Sequence, residues 1–255
     1  MPPAVVTPYC EITTISSTSA CSIAYLKRLT TLKLTTARLS MGHLSTPELS
    51  VSTPPVKTTH VALFGTSADP PHNGHRSIVA TLGHQFDYVA VWASDNPWKT
   101  DQSPIEMRMD MLELAIADLR TPGTVQLHRE LSHPYTAVTL ERAQRIWPKA
   151  KFTFVIGADL IKHLPHWYRS ADVMRWANIL VFPRPGYGLQ ESDLQELRNH
   201  GAEVAIATPL SQHHISSSTL RQGCPEHPNE IPAVVKAYIR QHNLYPCPQN
   251  NQTTP

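Results

Sequence analysis

Apolar and polar positions divide the chain into a patterned part and an unpatterned one. Between residues 60 and 245, short apolar runs alternate with longer segments in which apolar positions recur every three or four residues. The short runs are typical of buried strands, and the longer segments are typical of amphipathic helices. Residues 1–59 show neither period. They hold 20 Ser or Thr residues and only two acidic ones, a composition that does not favour a folded core.

The patterned part predicts six strands and seven helices. We expect strands at His60–Gly65, Asp87–Ala93, Thr124–His128, Phe152–Gly157, Asn178–Phe182 and Glu203–Ala207. We expect helices at Gly74–Gln85, Pro104–Leu119, Tyr135–Trp147, Ala171–Ala177, Glu191–Asn199, Ser217–Gln222 and Ile231–His242. Short strands rich in Val and Ile that alternate with helices favour a parallel sheet covered on both faces. The predicted fold class is therefore α/β, a Rossmann-like open parallel sheet with helices on both faces.

A single domain, residues 60–245, accounts for the patterned part. We interpret residues 1–59 as a disordered extension, and three origins for it stay open. Translation can start instead at Met41, the tail can be genuine, or it can target an organelle, because transit peptides are rich in hydroxyls and poor in acids. Residues 246–255 are rich in Pro, Asn, Gln and Thr, and we expect them to fray.

Composition narrows the classes of partner and compartment. The 255 residues carry a formal net charge of +2 without a polybasic cluster, so charge gives no indication of a nucleic-acid polymer or a membrane surface. No apolar run reaches the roughly 18 residues that span a membrane. Four scattered cysteines without a CxxC pair argue against a disulfide scaffold or a thiolate zinc site. We expect a reducing compartment and a cytoplasmic protein.

The segment LFGTSADPPHNGH, residues 63–75, carries the strongest chemical signal. A predicted strand runs into a polar turn, and a predicted helix begins at Gly74. Ligands of open α/β sheets bind beyond the carboxyl ends of the strands, and a helix start offers N–H groups and a positive dipole to phosphate. His72 and His75 lie three residues apart, so both imidazoles can face one phosphoryl group. The alternative is a pair of ordinary solvated turn residues.

A second signal is ISSSTLR, residues 215–221. Several hydroxyls at a predicted helix start can cap the helix and leave N–H groups for an anion. Arg221 follows about one turn later, where its planar guanidinium can bind phosphate oxygens. The alternative is a capped helix with a solvated arginine.

Two further segments follow predicted strands. After Phe152–Gly157, Asp159 either caps the next helix or lies beside a ligand. After Asp87–Ala93, Lys99 either stabilises phosphate charge or is a solvated loop lysine. Trp167 can bind a ligand ring or pack in the core, since an indole buries well in either place.

These segments resemble a known family. The HxGH after a strand ending in Phe-Gly is similar to the signature of the nucleotidyltransferase superfamily, and the fuller FGxxxDPxHxGH resembles nicotinate-nucleotide adenylyltransferases. ISSSTLR resembles the family motif that holds the triphosphate of ATP. Residues 156–169 resemble its stretch IGxD…LPxWxR. The resemblance runs from residue 60 to 245. Four positions depart from the pattern. Thr66 replaces a glycine, Ala68 replaces an aromatic residue, Trp98 replaces a histidine, and Ser218 replaces a threonine.

The resemblance implies a set of site residues. Catalytic roles fall on His72, His75, Lys99 and Arg221. ATP binding falls on Gly65, Thr66, Ser67, Gly74, Gly157, Asp159, Ile215, Ser216, Ser217 and Ser218. Mononucleotide binding falls on Trp98, Arg108, Tyr135, Thr136 and Trp167. For Arg108 a surface salt bridge is the alternative, and for Trp98 the alternative is packing of its loop.

The resemblance also implies a reaction. The family transfers the adenylyl group of ATP to nicotinate mononucleotide and releases pyrophosphate in NAD biosynthesis, so these two substrates are the expected partners. Mg²⁺ carried with ATP is the expected cofactor. No protein metal site is predicted, since Pro165 separates His163 from His166. A homo-oligomer stays open.

Three alternatives to this reaction remain. A sister transferase acting on nicotinamide mononucleotide, on phosphopantetheine or as a cytidylyltransferase shares the HxGH and Ile-Ser-Ser elements. A nucleotide-binding regulator without activity would keep the same fold. A purely structural α/β protein would not respond to ATP.

Overall fold

The structure, a computed structural model, describes residues 59–96, 99–184, 186–211, 215–222 and 229–246. The predicted extension up to residue 58, with the alternative start at Met41, lies outside the described residues. So do Trp98 and the predicted tail from residue 247 onward.

Six parallel strands form one open sheet. Their bounds are β1 His60–Thr66, β2 Tyr88–Ala93, β3 Thr124–Leu127, β4 Lys151–Gly157, β5 Asn178–Phe182 and β6 Val204–Ile206. The strand order is β3-β2-β1-β4-β5-β6, and every neighbouring pair is parallel. This is the order of a doubly wound dinucleotide-binding fold. The predicted fold class is confirmed.

Seven α-helices connect and cover the strands. Their bounds are α1 Asn73–Gln85, α2 Ile105–Ile116, α3 Thr136–Ile146, α4 Ser170–Trp176, α5 Glu191–Asn199, α6 Ser217–Gln222 and α7 Ala233–Gln241. Two 3₁₀ helices, Arg129–Leu131 and Ala158–His166, were not among the predicted elements. The second contains Pro165. None of the helices in the described residues is long and apolar enough to cross a membrane.

The sheet is buried on both faces, which is why its strands read as continuous apolar runs. Alternate residues of β1 enter opposite clusters: Val61 and Leu63 face one, and Ala62 and Phe64 face the other. Helices α3, α4 and α5 cover the first cluster, and α1 and α2 cover the second. A third cluster joins α2 to α6 and α7. Helix α6 is thereby fixed beside the sheet.

Several predicted boundaries moved by one to three residues for local reasons. Helix α2 ends at Ile116 rather than at Leu119, because the Leu119 N–H turns back to the Ile116 carbonyl. Helix α7 begins at Ala233 rather than at Ile231, after Pro232 in an extended conformation. Helix α1 begins at Asn73, one residue before the predicted Gly74. Strand β5 and helices α5 and α6 have the predicted bounds.

The topology decides where a ligand can bind. Strands β1 and β4 are neighbours at the centre of the sheet. From β1 the chain proceeds to β2 on one side of this pair, and from β4 it proceeds to β5 on the other side. The crevice at such a switch point lies beyond the carboxyl ends of the strands. The loops that follow β1 and β4 therefore meet at the same edge of the sheet.

Gly65 permits close packing directly beneath this edge. A Cβ atom at this position would lie 2.6 Å from the indole of Trp92 on β2. Trp92 is buried and neighbours Phe154 on β4, with 6.5 Å between ring centroids. The glycine therefore lets an indole fill the space under the β1 loop.

We predict that Gly65→Ala lowers the free energy of unfolding by about 1–3 kcal/mol, the usual cost of overpacking a core. Urea unfolding measures the change. The matched control is Gly188→Ala, where a Cβ atom would meet no heavy atom within 4 Å, so we expect a change within about 0.5 kcal/mol. Equal stability of the two variants would contradict this account of Gly65.

Candidate active site

His72 and His75 are fixed by backbone hydrogen bonds at the start of α1. His72 is the N-cap residue, and its Nδ1 accepts the Gly74 N–H at 3.1 Å. The His72 N–H donates to His75 Nδ1 at 3.2 Å. The two ring centroids lie 3.9 Å apart. Each imidazole therefore acts as part of the helix cap, and the sequence prediction that both rings face one point is consistent with this geometry.

These bonds assign the tautomer of both rings. A neutral imidazole that accepts at Nδ1 carries its proton on Nε2. Burial holds the pKa of His75 well below its ordinary value, and the positive charges of Arg184 and Lys99 lower it further. His75 is therefore neutral near pH 7 and presents an Nε2–H donor.

One expectation about this helix start is wrong. The sequence suggested that its N–H groups stay available to phosphate, but Asn73 donates to the Glu230 carbonyl at 2.8 Å and Gly74 donates to His72. The His75 N–H donates to the His72 carbonyl at 2.9 Å. The imidazoles, rather than the backbone, carry the donors at this position. ATP binding by Gly74 stays a prediction.

Lys99 is held by the loop that follows β1. Its Nζ donates to Ser67 Oγ at 2.8 Å. Desolvation lowers the pKa of Lys99 and Asp159 opposes that shift, while Arg184, Arg221 and Arg108 reinforce it. The ammonium thus lies among several guanidinium groups, in an environment where a polyanion would relieve the repulsion.

Arg221 contacts the same loop from α6. Its Nη1 donates to the Asp69 carbonyl at 2.6 Å and lies 3.6 Å from the Asp69 carboxylate. Ser217 donates its hydroxyl to the Pro70 carbonyl at 3.0 Å. Ser216 Oγ accepts the Thr219 N–H at 3.2 Å and so caps the helix. Ser218 is exposed.

Other predicted ATP-binding residues border this loop. Ile215 packs against the cluster between α2, α6 and α7. Thr66 is the last residue of β1, and its carbonyl accepts the Ser94 N–H at 2.7 Å. Thr66, which stands where the family has a glycine, therefore adopts the conformation of a strand residue. Ala68 is fully buried with φ 47°, so its side chain points into the core.

Asp159 lies opposite, after β4, and is paired with a residue that sequence reasoning missed. Arg184 Nη1 donates to Asp159 Oδ2 at 2.8 Å. The N-cap residue of the 3₁₀ helix is Gly157 and Asp159 lies inside its first turn, so the capping alternative is wrong. A Cβ atom at Gly157 would lie 2.4 Å from Asp159 Oδ1, which explains the glycine. Arg184 follows β5 at the same sheet edge, and that position was the available signal.

Arg108 is not a surface residue, and the salt-bridge alternative is wrong. It is 3% exposed, and its guanidinium donates to three backbone carbonyls. These belong to Ser67 at 3.0 Å, Ser94 at 2.8 Å and Ser103 at 2.9 Å. Arg108 thus ties the loop after β1 to the loop after β2. Its contact with a mononucleotide stays a prediction.

The remaining predicted acceptor residues surround an aromatic surface. Trp167 is partly buried, and its ring meets Phe154 edge-on at 6.2 Å. Tyr135 and Tyr168 are 50% and 54% exposed, with ring centroids 4.7 Å apart. Thr136 begins α3 directly after Tyr135. Tyr168 was missed, although it neighbours Trp167 in sequence. Trp167 therefore has a packing role, and its ligand contact stays a prediction.

Comparison with known proteins gives the family. The cytidylyltransferase-like family model matches residues 63–223. A protein of Synechocystis sp. described as a probable nicotinate-nucleotide adenylyltransferase is 38% identical over 203 residues, which cover 72% of this chain and 98% of that protein. The chain belongs to the nicotinate-nucleotide adenylyltransferase family.

The family predicted from the motifs is confirmed, and further relatives carry the same description. A Thermus thermophilus protein with the same description is 31% identical over 195 residues, covering 72% of this chain and 98% of that protein. The Plasmodium falciparum nicotinic acid mononucleotide adenylyltransferase complexed with NaAD superposes with a TM-score of 0.63 at 18% identity. The superposition covers 73% of this chain and 97% of the Plasmodium chain, so the two proteins share the fold.

We predict that His75→Asn removes activity while the fold is kept. Asn Oδ1 can accept the His72 N–H in place of Nδ1, but no donor remains where Nε2–H was. Loss of one preorganised donor costs about 10²–10³ in turnover, measured as pyrophosphate release. His84→Asn is the matched control, an exposed histidine on the same helix. Retention of more than about a tenth of normal turnover by His75→Asn would contradict the donor role.

Proposed function

We infer that this protein transfers the adenylyl group of ATP to nicotinate mononucleotide, giving nicotinate adenine dinucleotide and pyrophosphate. The observation that carries the inference is the pair of imidazoles locked as Nε2–H donors at the carboxyl edge of a doubly wound sheet. The family assignment supplies the substrates, because relatives that match over nearly their whole length carry this activity in their descriptions.

The chemistry is a displacement at phosphorus. An oxygen of the mononucleotide 5′-phosphate forms a bond to the α-phosphorus of ATP, and the bond from that phosphorus to the bridging oxygen breaks. Pyrophosphate leaves with the electron pair. Such reactions need positioning and charge stabilisation more than covalent participation by the protein. A rigid, preorganised donor set is therefore the property to look for.

The imidazoles supply part of this stabilisation. We propose that the Nε2–H groups of His72 and His75 donate to the α-phosphate and to the bridging oxygen, where negative charge develops. Because both rings are fixed through Nδ1, the donors need little reorganisation during the reaction. The lowered pKa of His75 keeps its ring neutral, so it acts as a donor of hydrogen bonds rather than as a cation.

Cations supply the remainder. We propose that Lys99 and Arg221 bind the β- and γ-phosphates and stabilise the pyrophosphate that leaves. Burial lowers the pKa of Lys99 most, and repulsion from the neighbouring arginines lowers it further. A polyanion that binds between these groups would relieve that repulsion. We propose that Asp159, held by Arg184, accepts hydrogen bonds from ribose hydroxyls of the nucleotide.

Mg²⁺ fits this site as a companion of the nucleotide. Among the described residues, no group of three or more His, Cys, Asp or Glu is arranged to hold a metal ion. Asp69 and Asp159 are each paired with an arginine. Mg²⁺ keeps several water ligands and binds readily through phosphates. We propose that it enters with ATP and neutralises phosphate charge.

The acceptor is proposed to bind along the aromatic surface. Trp167, Tyr135 and Thr136 are the described residues placed there, and Trp98 is proposed with them from sequence alone. Aromatic rings prefer offset stacking or edge-to-face contacts, which the exposed Tyr135 and Tyr168 rings can offer to a pyridine ring. Location in the cytoplasm stays a prediction from sequence, and the oligomeric state stays open.

We predict that nicotinate mononucleotide is a better acceptor than nicotinamide mononucleotide by about 10–100-fold in kcat/KM. The nicotinate carboxylate adds a charged acceptor, and hydrogen bonds to charged groups contribute about 1.5–3 kcal/mol. Pyrophosphate release with ATP and each acceptor measures the ratio, with phosphopantetheine as a third acceptor. A preference for either of the other acceptors would contradict the proposal, and ATP binding without turnover would indicate a regulator.

A further inference from the structure

The carboxylate of Asp69 is fully buried at the centre of the site's loops. The Ser103 N–H donates to it at 3.2 Å, and the hydroxyl of Tyr245 donates to its Oδ1. Arg221 lies 3.6 Å from its Oδ2. A buried carboxylate is costly unless it is paired and hydrogen-bonded. Asp69 meets that condition only because three distant segments converge on it.

Two of these segments carry a cation proposed to bind ATP. Ser103 ends the loop that carries Lys99 and precedes α2. Arg221 lies on α6, which also contacts Pro70 through Ser217. Arg108, on α2, donates to the Ser103 carbonyl at the end of this loop. The Asp69 carboxylate is therefore the negative charge around which the positive groups are arranged.

Tyr245 closes this arrangement from the end of the described chain. Its hydroxyl donates to Asp69 and accepts from the Ser103 hydroxyl at 3.1 Å. Burial and the bond to Asp69 raise the pKa of Tyr245 far above its ordinary value. The hydroxyl therefore keeps its proton near neutral pH and is able to donate it to Asp69.

We propose that Asp69 is a positioning residue for ATP, and that the Tyr245 hydroxyl holds the Asp69 carboxylate where it aligns Arg221 and the Lys99 loop. The proposal rests on the proposed function only in taking ATP as the donor nucleotide. Loss of the Tyr245 hydroxyl frees one carboxylate oxygen to rotate toward Arg221. A changed Asp69–Arg221 pair would then compete with the triphosphate for the guanidinium.

The test compares two tyrosines of the same C-terminal segment. Tyr245→Phe removes the bond to Asp69. Tyr238→Phe is the matched control, because the Tyr238 hydroxyl donates to Asp110 at 2.9 Å on a solvent-accessible face of α2. The probe is adenosine 5′-(α,β-methylene)triphosphate with Mg²⁺, titrated calorimetrically in the absence of any acceptor. Steady-state KM values for ATP and for nicotinate mononucleotide are measured in parallel.

We expect Tyr245→Phe to weaken binding of the analogue by about 3–10-fold, because only part of the effect of one hydrogen bond to a charged group reaches the ligand. The KM for ATP rises with it, and the KM for nicotinate mononucleotide stays within about twofold. Tyr238→Phe leaves both constants within about twofold while losing a comparable hydrogen bond. A merely structural role for Tyr245 would move both substrates or neither.

Asp69→Asn gives the second measurement. If it folds, we expect a loss of ATP-analogue affinity larger than that of Tyr245→Phe, with nicotinate mononucleotide again spared. If Asp69→Asn does not fold, the comparison of Tyr245→Phe with Tyr238→Phe still tests the proposal. Analogue affinity within twofold of normal for Tyr245→Phe, or equal changes in both tyrosine variants, would overturn the proposal.

The outcomes separate this proposal from the proposed function. Analogue binding needs no acceptor, so weaker binding by Tyr245→Phe supports the positioning role even if nicotinate mononucleotide proves not to be the acceptor. Normal turnover of nicotinate mononucleotide by Tyr245→Phe, with unchanged KM for ATP, would leave the proposed function intact and remove the positioning role.

Discussion

Two hydrogen bonds from backbone N–H groups to imidazole Nδ1 atoms are the constraint on which the site depends. The His72 N–H donates to His75, and the Gly74 N–H donates to His72. The same two bonds therefore cap α1 and orient the two imidazole donors. The spacing HxGH follows from this geometry, because the second ring must reach back over one turn to the first residue of the cap. Both rings then project Nε2–H from a rigid helix start, where preorganised donors are most effective.

The positive character of the site is local. The whole chain carries a net charge of only +2. Burial lowers the pKa of Lys99, and Arg184 and Arg221 lie close enough to lower it further. Two carboxylates reduce the repulsion within this cluster of cations. Asp69 is paired with Arg221, and Asp159 is paired with Arg184. In the proposed function, a triphosphate adds the negative charge that these cations share. Anion binding here comes from side chains that tertiary structure brings together, rather than from overall basicity.

Local sequence predicted much of this structure, and tertiary contacts decided the rest. The order of strands and helices, the sheet and the position of residues 63–75 at its carboxyl edge follow from patterns within one element or one turn. The availability of N–H groups at α1 could not be predicted, because the partner of Asn73 is Glu230, far along the chain. Arg184 and Tyr245 were missed for the same reason: their partners Asp159 and Asp69 precede them by 25 and 176 residues. Arg108 was found by resemblance, but its burial against three carbonyls is visible only in the fold.

The central claim is that both imidazoles are neutral donors fixed through Nδ1. Long-range proton–nitrogen correlation spectra of protein labelled with ¹⁵N in histidine test it directly, with His75→Asn used to assign the signals. The account predicts the Nε2–H tautomer for both rings. It also predicts that the neutral signal of His75 persists as the pH falls below 6.5, because its pKa is lowered from that value. An Nδ1–H tautomer in either ring, or titration of His75 at or above pH 6.5, would contradict it.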